Sequence, residues 1–420
     1  MNRKQLVILF GLVLVVGGAA LLQIKKRSAS WENTSPVLGK KLLGNFPVND
    51  VAHIEIRQGS NDLNLVKKDD LWRVRERNDY PANYNDISDF LLKARDLKIV
   101  QSEKVGPSQL PRLALVTGQG TNSALVVDFK DQSDKPIKSL LLGKKHMKKS
   151  DRPSPMGEMG RDEGGWPDGR YVKASAESDS VVLISDALAN IEPKPEQWLN
   201  KDFFKIEKPK SISVTFATET NSWKLTRETE TGEWKLVDAK PAEQLDSSKV
   251  SSVSNPFNSP SFADVATLDK SESFGFGKPT AVTVDTFDNF TYVIKIGQKT
   301  NDNVPLSLTV SAQIPRQRGA GKDEKPEDKT KLDKEFQEKE KKLEEKLNQE
   351  KSYEKWLYLV STWTVDPLLK ERSQLLVEKK EEPKKDTAKK DEQPTVAPDA
   401  PKKEDPGPAP LPAPPADSKP

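Results

Sequence analysis

The spacing of apolar positions changes along the chain, and each change marks a different kind of element. Leu6 to Ile24 is a run of 19 positions in which Gln23 is the one strongly polar residue. At about 1.5 Å per residue a helix of that length reaches roughly 28 Å, close to the thickness of a bilayer core. From about residue 46 the period falls to two. Ile54 and Ile56 alternate with Glu55 and Arg57, Leu63 and Leu65 follow a Gly59-Ser60-Asn61-Asp62 turn signal, and Asp69-Asp70 interrupts the chain before Leu71-Trp72-Arg73-Val74. That alternation predicts a three-stranded meander. Beyond Pro81 the period lengthens to that of a helix, with Asp86 as its expected cap and Ile87, Phe90, Leu91, Ala94 and Leu97 on one face. Further strands are expected at 124–129, 139–142, 171–172 and 181–184.

The second half runs through the same order. Ile212, Val214 and Phe216 stand for the first strand, Trp223-Lys224-Leu225 and Glu233-Trp234-Lys235-Leu236 for the next two, with Trp234 where Trp72 stood. Asp246 ahead of Val250 and Val253 repeats the capped helix. Val282-Thr283-Val284-Asp285 matches Val126-Val127-Asp128, and Ile294-Lys295-Ile296-Gly297 matches Leu140-Leu141-Leu142-Gly143. Tyr358-Leu359 is set against Tyr171-Val172, and Asp366-Pro367-Leu368 against Asp186-Ala187-Leu188. Two tandem α+β repeats of antiparallel sheet with a packed helix are therefore expected.

Each repeat has one departure. The first carries a Gly/Pro/Met-rich loop from Ser150 to Pro167, and the second a charged helical insertion at about 323–353. Within the insertion Leu332, Phe336, Leu343 and Leu347 fall within roughly 60° of one another on a helix, a narrow seam. Glu335 with Lys339 and Glu338 with Lys342 are expected to pair at i,i+4. A solvated arm docked by four side chains and a coiled-coil contact to a partner both fit this pattern. After Val377 the apolar period disappears into Lys/Glu/Pro/Ala-rich sequence, with Pro406 to Pro415 suited to a polyproline II spacer. The expected organisation is thus a membrane anchor at 1–27, a linker at 28–45, repeats at 46–192 and 193–377, and a disordered tail at 378–420.

Composition changes the picture in two places. Lys+Arg 67 against Asp+Glu 64 leaves a net charge of +3, so no global basic field points to nucleic acid. No cysteine and only two histidines exclude thiol nucleophiles and Cys-containing metal sites, and leave little material for triads. Charge also bears on location. Lys25-Lys26-Arg27 closes the apolar run, and Leu21, Leu22 and Ile24 prolong it beyond the small residues Gly18-Ala19-Ala20 that a signal-peptide cleavage would use. An uncleaved single-pass membrane anchor follows as the expectation, the main body outside the cytoplasm.

The search for chemistry returns few candidates. His53 could be oriented by Asp50 or Glu55, but no nucleophile motif accompanies it; His146 lies in the basic run Lys144-Lys145-His146-Met147-Lys148-Lys149. Gly118-Gln119-Gly120 lacks the third glycine of a dinucleotide fingerprint, and no phosphate-loop ending is present. No cofactor is expected. The most distinctive string is Gly164-Gly165-Trp166-Pro167-Asp168-Gly169-Arg170-Tyr171, where Pro167-Asp168-Gly169 reads as a turn feeding a strand. Trp166, Asp168 and Arg170 are its candidate contacts for an outside molecule.

Several strings taken together resemble a known family. Pro47-Val48-Asn49-Asp50-Val51, the strand with Ile54 and Ile56, Leu71-Trp72-Arg73-Val74, Tyr80-Pro81-Ala82, Leu97-Lys98-Ile99-Val100 and Asp366-Pro367-Leu368 look like the bacterial domain-of-unknown-function 4340 family over roughly residues 1 to 377. The resemblance implies a membrane-anchored protein, some of whose relatives accompany gliding-type ABC transport systems. It supplies no catalytic or binding residue. The expectation is a non-enzymatic scaffold or accessory subunit that meets the lipid bilayer and an ABC-type permease or another envelope protein. A glycan or lipid binding module, and more remotely an Asp/Glu hydrolase, are the alternatives.

Overall fold

The computed structural model describes residues 38–118, 120, 123–148, 166–174, 180–300, 302–319 and 326–378. The apolar run at 6–24, most of the Ser150 to Pro167 loop, and the tail beyond Glu378 lie outside them. Among the described residues no helix is long and apolar enough to cross a membrane.

The chain folds as α+β with two antiparallel sheets and few helices. Strands β1 (His53–Gln58), β2 (Asn61–Lys68), β3 (Leu71–Val74) and β4 (Tyr80–Pro81) form the expected meander with one short addition. Helix α1 (Tyr84–Asp96) buries Ile87, Phe90, Leu91 and Ala94. Its cap is Asn83, whose side-chain oxygen accepts the Asn85 N–H at 3.1 Å, and not the expected Asp86, which lies in the first turn and takes a hydrogen bond from the Asn83 amide at 2.6 Å. The sheet is completed by β5 (Ile99–Lys104), β6 (Leu125–Lys130), β7 (Pro136–Lys148), β8 (Trp166–Lys173) and β9 (Ser180–Ile184), in the order β4-β3-β2-β1-β6-β7-β8-β9-β5.

The second sheet comprises β10 (Pro209–Thr215), β11 (Trp223–Thr226), β12 (Lys235–Leu236), β13 (Phe262–Thr267), β14 (Thr280–Thr286), β15 (Phe290–Ile296), β16 (Asn303–Ala312) and β17 (Trp356–Ser361). Its order is β12-β11-β10-β14-β15-β16-β17-β13, which is that of the first sheet without β4. Helix α2 (Ser247–Val253) occupies the place of α1 and is capped as expected by Asp246, which accepts from Ser248 and Lys249. Even an irregularity recurs. The pairing of β5 with β9 slips between Ile99 and Gln101, and that of β13 with β17 slips between Phe262 and Asp264.

This order corrects one match read from sequence. The strand equivalent to β17 is β9, so Tyr358-Leu359 corresponds to Val182-Leu183 and not to Tyr171-Val172 of β8. Alternation reports which face a residue occupies, not which neighbour its strand has, and β16, the counterpart of β8, lies ahead of the inserted helix. The segment expected as a linker up to residue 45 also differs: Leu43 is buried, and Gly39 and Leu42 donate to the carbonyls of Ile99 and Leu97 at 2.8 Å. Beyond residue 192 the chain still belongs with the first sheet, since Leu199 bridges to Ala82, and Trp198 packs 6.0 Å from Phe90.

One continuous apolar cluster runs through both sheets. Where they meet, Tyr80 lies 5.0 Å from Trp356 and 6.0 Å from Phe262, and Phe203 lies 4.4 Å from Tyr358. Beside these rings Arg77 grips Asp264 bidentately, Nε to Oδ1 at 2.6 Å and Nη2 to Oδ2 at 2.8 Å. That hydrogen bond is the largest reason the Arg77 guanidinium holds its proton more tightly than usual.

Candidate functional site

Two features stand out from the paired sheets: a cleft beside the β7–β8 hairpin, and a helical arm on the second sheet. The cleft, of about 630 Å³, lies between α1 and the 185–192 segment and is bordered by Asp168 of β8. Among the described residues that line it, Asp86, Asp89, Asp168, Asp186 and Glu192 stand with one cation, Lys93. Several of these charges are already engaged. The His146 ring nitrogen Nδ1 stands 2.6 Å from Asp168 Oδ1, and this contact is the main cause that holds the Asp168 carboxyl below its usual range. Lys194 does the same for Glu192 at 2.6 Å. Among the described residues no group of three or more His, Asp or Glu side chains could hold a metal ion.

Trp166, Asp168 and Arg170 do not form one surface. Strict alternation would put residues two apart on the same side of a strand, yet the β7–β8 pairing slips twice, between Leu142 and Lys145 and between His146 and Met147. Pro167-Asp168-Gly169 is accordingly inside β8 and not a turn before it. Trp166 stays outside, 54% exposed, while Asp168 borders the cleft. Arg170 is buried. Its Nε donates to the Gly143 carbonyl at 2.7 Å and its Nη1 to the Leu188 carbonyl at 3.2 Å, and burial pulls the guanidinium down to about 10. Lys145 Nζ donates to the next carbonyl, that of Ala189, at 2.9 Å. Two buried or half-buried cations thus fix the floor of the cleft, a role that β-alternation could not reveal because the Leu188 and Ala189 carbonyls come from the segment after β9. Replacing Arg170 with leucine removes the Arg170 donor from the Gly143 carbonyl and leaves the Leu188 carbonyl with the Ile191 N–H at 3.2 Å; it is expected to cost about 2 kcal/mol in urea unfolding, with faster amide exchange over 186–192.

The arm is one continuous helix, α3 (Pro326–Lys351), of 26 residues. The four seam residues divide. Leu343 and Leu347 pack on the core of the second sheet, Phe336 is half-buried, and Leu332 is exposed. At its end Glu350 is buried, accepting the Tyr292 hydroxyl at 2.7 Å and the Lys205 N–H at 3.2 Å; burial pushes its carboxyl above the usual range. The expected pairs Glu335 with Lys339 and Glu338 with Lys342 do not form. Lys339 reaches Asp288 in the β14–β15 turn at 3.1 Å, and the pairs along the helix run the other way, Lys331 to Glu335 at 3.9 Å and Lys341 to Glu345 at 3.8 Å. Arg316 from the preceding segment holds Glu340 and Glu344. The first half of α3 is therefore tied by surface charges, which contribute little, and the second half by buried contacts. The signal for this asymmetry was present in the sequence as the buried-type spacing of Leu343, Leu347 and Tyr353, but the partner strand was not.

Comparison with known proteins adds one finding. No curated protein and no solved structure matches the chain. A family model, described as Domain of unknown function (DUF4340), matches residues 159–279, which run from ahead of β8 to just ahead of β14 and so straddle both sheets. The strings that carry the resemblance lie outside that stretch, at 47–100 and 366–368, yet both lead to the same family. Over residues 159–279 the chain is similar to the DUF4340 family, a domain of unknown function.

Proposed function

We propose that the chain is a membrane-anchored extracytoplasmic accessory subunit, a non-enzymatic scaffold made by internal duplication, that reaches an ABC-type permease with the first half of α3. The observation that carries this reading is the division of the arm: Leu343, Leu347 and Glu350 hold one end on the second sheet, while Leu332 and the surrounding lysines and glutamates face solvent at the other. An arm fixed at one end presents a contact surface without first paying the entropy of ordering it. The shared strand order of the two sheets and the recurrent slip in their pairing support duplication. The apolar run from Leu6 to Ile24 supports the anchor. Both histidines are occupied by carboxylates, His53 with Asp134 and His146 with Asp168, an arrangement suited to holding structure.

Because the chain has no cysteine, topology is readily tested. A Ser154→Cys variant is expected to react with a membrane-impermeant maleimide in intact or outer-permeabilised cells. Labelling confined to fully lysed cells would put the body in the cytoplasm and end this reading. A second reading, a glycan or lipid binding module, draws on the exposed Trp166 beside Lys148. Saturable heat on titration with envelope polysaccharide fragments, lost in Trp166→Ala, would favour it.

A further inference from the structure

One row of positions crosses the same face of both sheets, turned away from the main apolar cluster, and the two copies fill it differently. In the first sheet the row runs Glu55, Asp128, Ser139 across β1, β6 and β7; in the second it runs Ser211, Asp285, Thr291 across β10, β14 and β15. The aspartate recurs, but its surroundings do not. Arg57 donates to Asp128 Oδ2 at 2.6 Å, Ser139 to its Oδ1 at 2.5 Å, and Lys130 to Glu55 at 2.6 Å, so two carboxylates meet two cations. In the second sheet Ser213 stands in the place of Arg57, and Phe287 in that of Lys130. Asp285 accepts from Ser211 Oγ at its Oδ2 and from Thr291 Oγ1 at its Oδ1, both at 2.8 Å, and among the described residues no cation pairs with it. Over this second row lies a cleft of about 500 Å³, lined by Ser211, Asp285, Thr291 and Gln313 together with the exposed Lys210 and Lys224. The pairing of β10 with β14 slips between Pro209 and Ser211, a bulge that sets Lys210 beside Ser211, whereas β1 pairs with β6 without a slip. Neither lysine forms an ion pair among the described residues.

We propose that this cleft binds an acidic sugar, a pyranose ring carrying a carboxylate. An ionised carboxylate accepts about four hydrogen bonds, so the two hydroxyls leave Asp285 with room for about two more. Neighbouring hydroxyls of a sugar ring are donors placed to use them. Ser211 and Thr291, having given their protons to Asp285, offer their own oxygens as further acceptors, and the Gln313 amide supplies a donor and an acceptor. The carboxylate of the ligand is repelled by Asp285 and drawn to Lys210 and Lys224, which sets its orientation. A small inorganic anion gains from the lysines but is repelled by the aspartate beside them. In the first sheet Arg57 already takes the aspartate, so the duplication holds one closed copy of the row and one open one. The site is independent of the proposed contact through α3.

Titration calorimetry of the full chain, in a detergent without a sugar headgroup at about pH 7, is expected to show saturable binding of tri-galacturonate with a Kd of about 1 mM or below. The methyl ester of the same trisaccharide is expected to bind about tenfold more weakly, and sulfate at equal concentration to leave the binding in place. Lys210→Gln combined with Lys224→Gln is expected to bring the acid down to the affinity of the ester. Asp285→Asn is expected to weaken both by about tenfold or more. Ser213→Arg, which copies the first sheet, is expected to pair with Asp285 and abolish binding while the urea midpoint stays unchanged or rises, so that loss of the site is read apart from loss of the fold. Trp166→Ala is expected to bind as the unaltered chain does. Absence of saturable heat, displacement by sulfate, full binding in Ser213→Arg or Asp285→Asn, or loss of binding in Trp166→Ala would each overturn the proposal.

Discussion

Replacing Gly143 with alanine is expected to destabilise the chain by about 3 kcal/mol or more, the upper end of what an added methyl costs in a packed core. A Cβ built at Gly143 would lie 2.3 Å from the Leu113 carbonyl oxygen and 2.8 Å from two carbons of Leu115. The carbonyl cannot swing aside like a side chain, because Leu113 ends a 3₁₀ segment packed on β7 and Leu115 belongs to a buried cluster with Ala124, Leu141 and Val181. Gly143 also presents the carbonyl that accepts from Arg170, so any shift of its backbone is felt in the cleft. Gly297, its equivalent in the second half, meets Phe274 O at 2.9 Å and the ring carbons of Pro305 and Phe276 at 2.8 and 2.9 Å. Rings can tilt, so Gly297→Ala is expected to cost less, about 1–3 kcal/mol. Gly277, with open space around its missing Cβ, is the control: alanine there should change stability by no more than about 0.5 kcal/mol in urea unfolding. Equal effects at Gly143 and Gly277 would mean that β7 does not close on the Leu113 turn as described.

The second large effect is expected at the joint between the sheets. Tyr358 is fully buried and touches Phe203, Phe262, Tyr80 and Tyr353, so Tyr358→Ala removes the central ring of the joint. A cost of about 3–5 kcal/mol follows from the transfer and cavity terms together. The form of unfolding carries more information than its size. With one apolar cluster through both sheets, the native chain is expected to lose its tryptophan fluorescence and its circular dichroism in a single transition. Tyr358→Ala should separate these into two, the second sheet melting first. Two transitions already present in the unaltered chain would mean that the halves are energetically independent.

Much of this fold was legible because period-two alternation and a polar cap are local properties. Ile54, Ile56, Leu63 and Leu65 are all fully buried on the strands their spacing predicts, and Asp246 caps the helix it precedes. What could not be read is set by pairing. Strands β5, β13 and β16 have no clean alternation of their own: β5 alternates poorly because only Ile99 is buried, and β16 buries Val304, Pro305 and Leu306 in succession. The candidate contact residues show the same limit. A contact with an outside molecule needs Trp166 exposed, and it is, whereas Arg170, grouped with it by spacing, lies beyond the pairing slip between His146 and Met147 and is buried against carbonyls 18 and 27 residues away. The arm behaved similarly: its seam was visible, but its docking depends on Tyr292 and Lys205, more than 50 residues distant.

The proposed contact through α3 is tested most directly by crosslinking in the membrane, followed by affinity purification and mass spectrometry. The comparison is between the unaltered chain and a Leu332→Glu, Phe336→Glu double variant, which leaves Leu343, Leu347 and Glu350 in their docked places. The account predicts that an ABC-type permease is recovered with the unaltered chain, and that its yield falls about tenfold in the variant, the loss expected for about 1.4 kcal/mol of contact energy. Recovery of the chain alone, or of the permease in equal amounts from both, would contradict it.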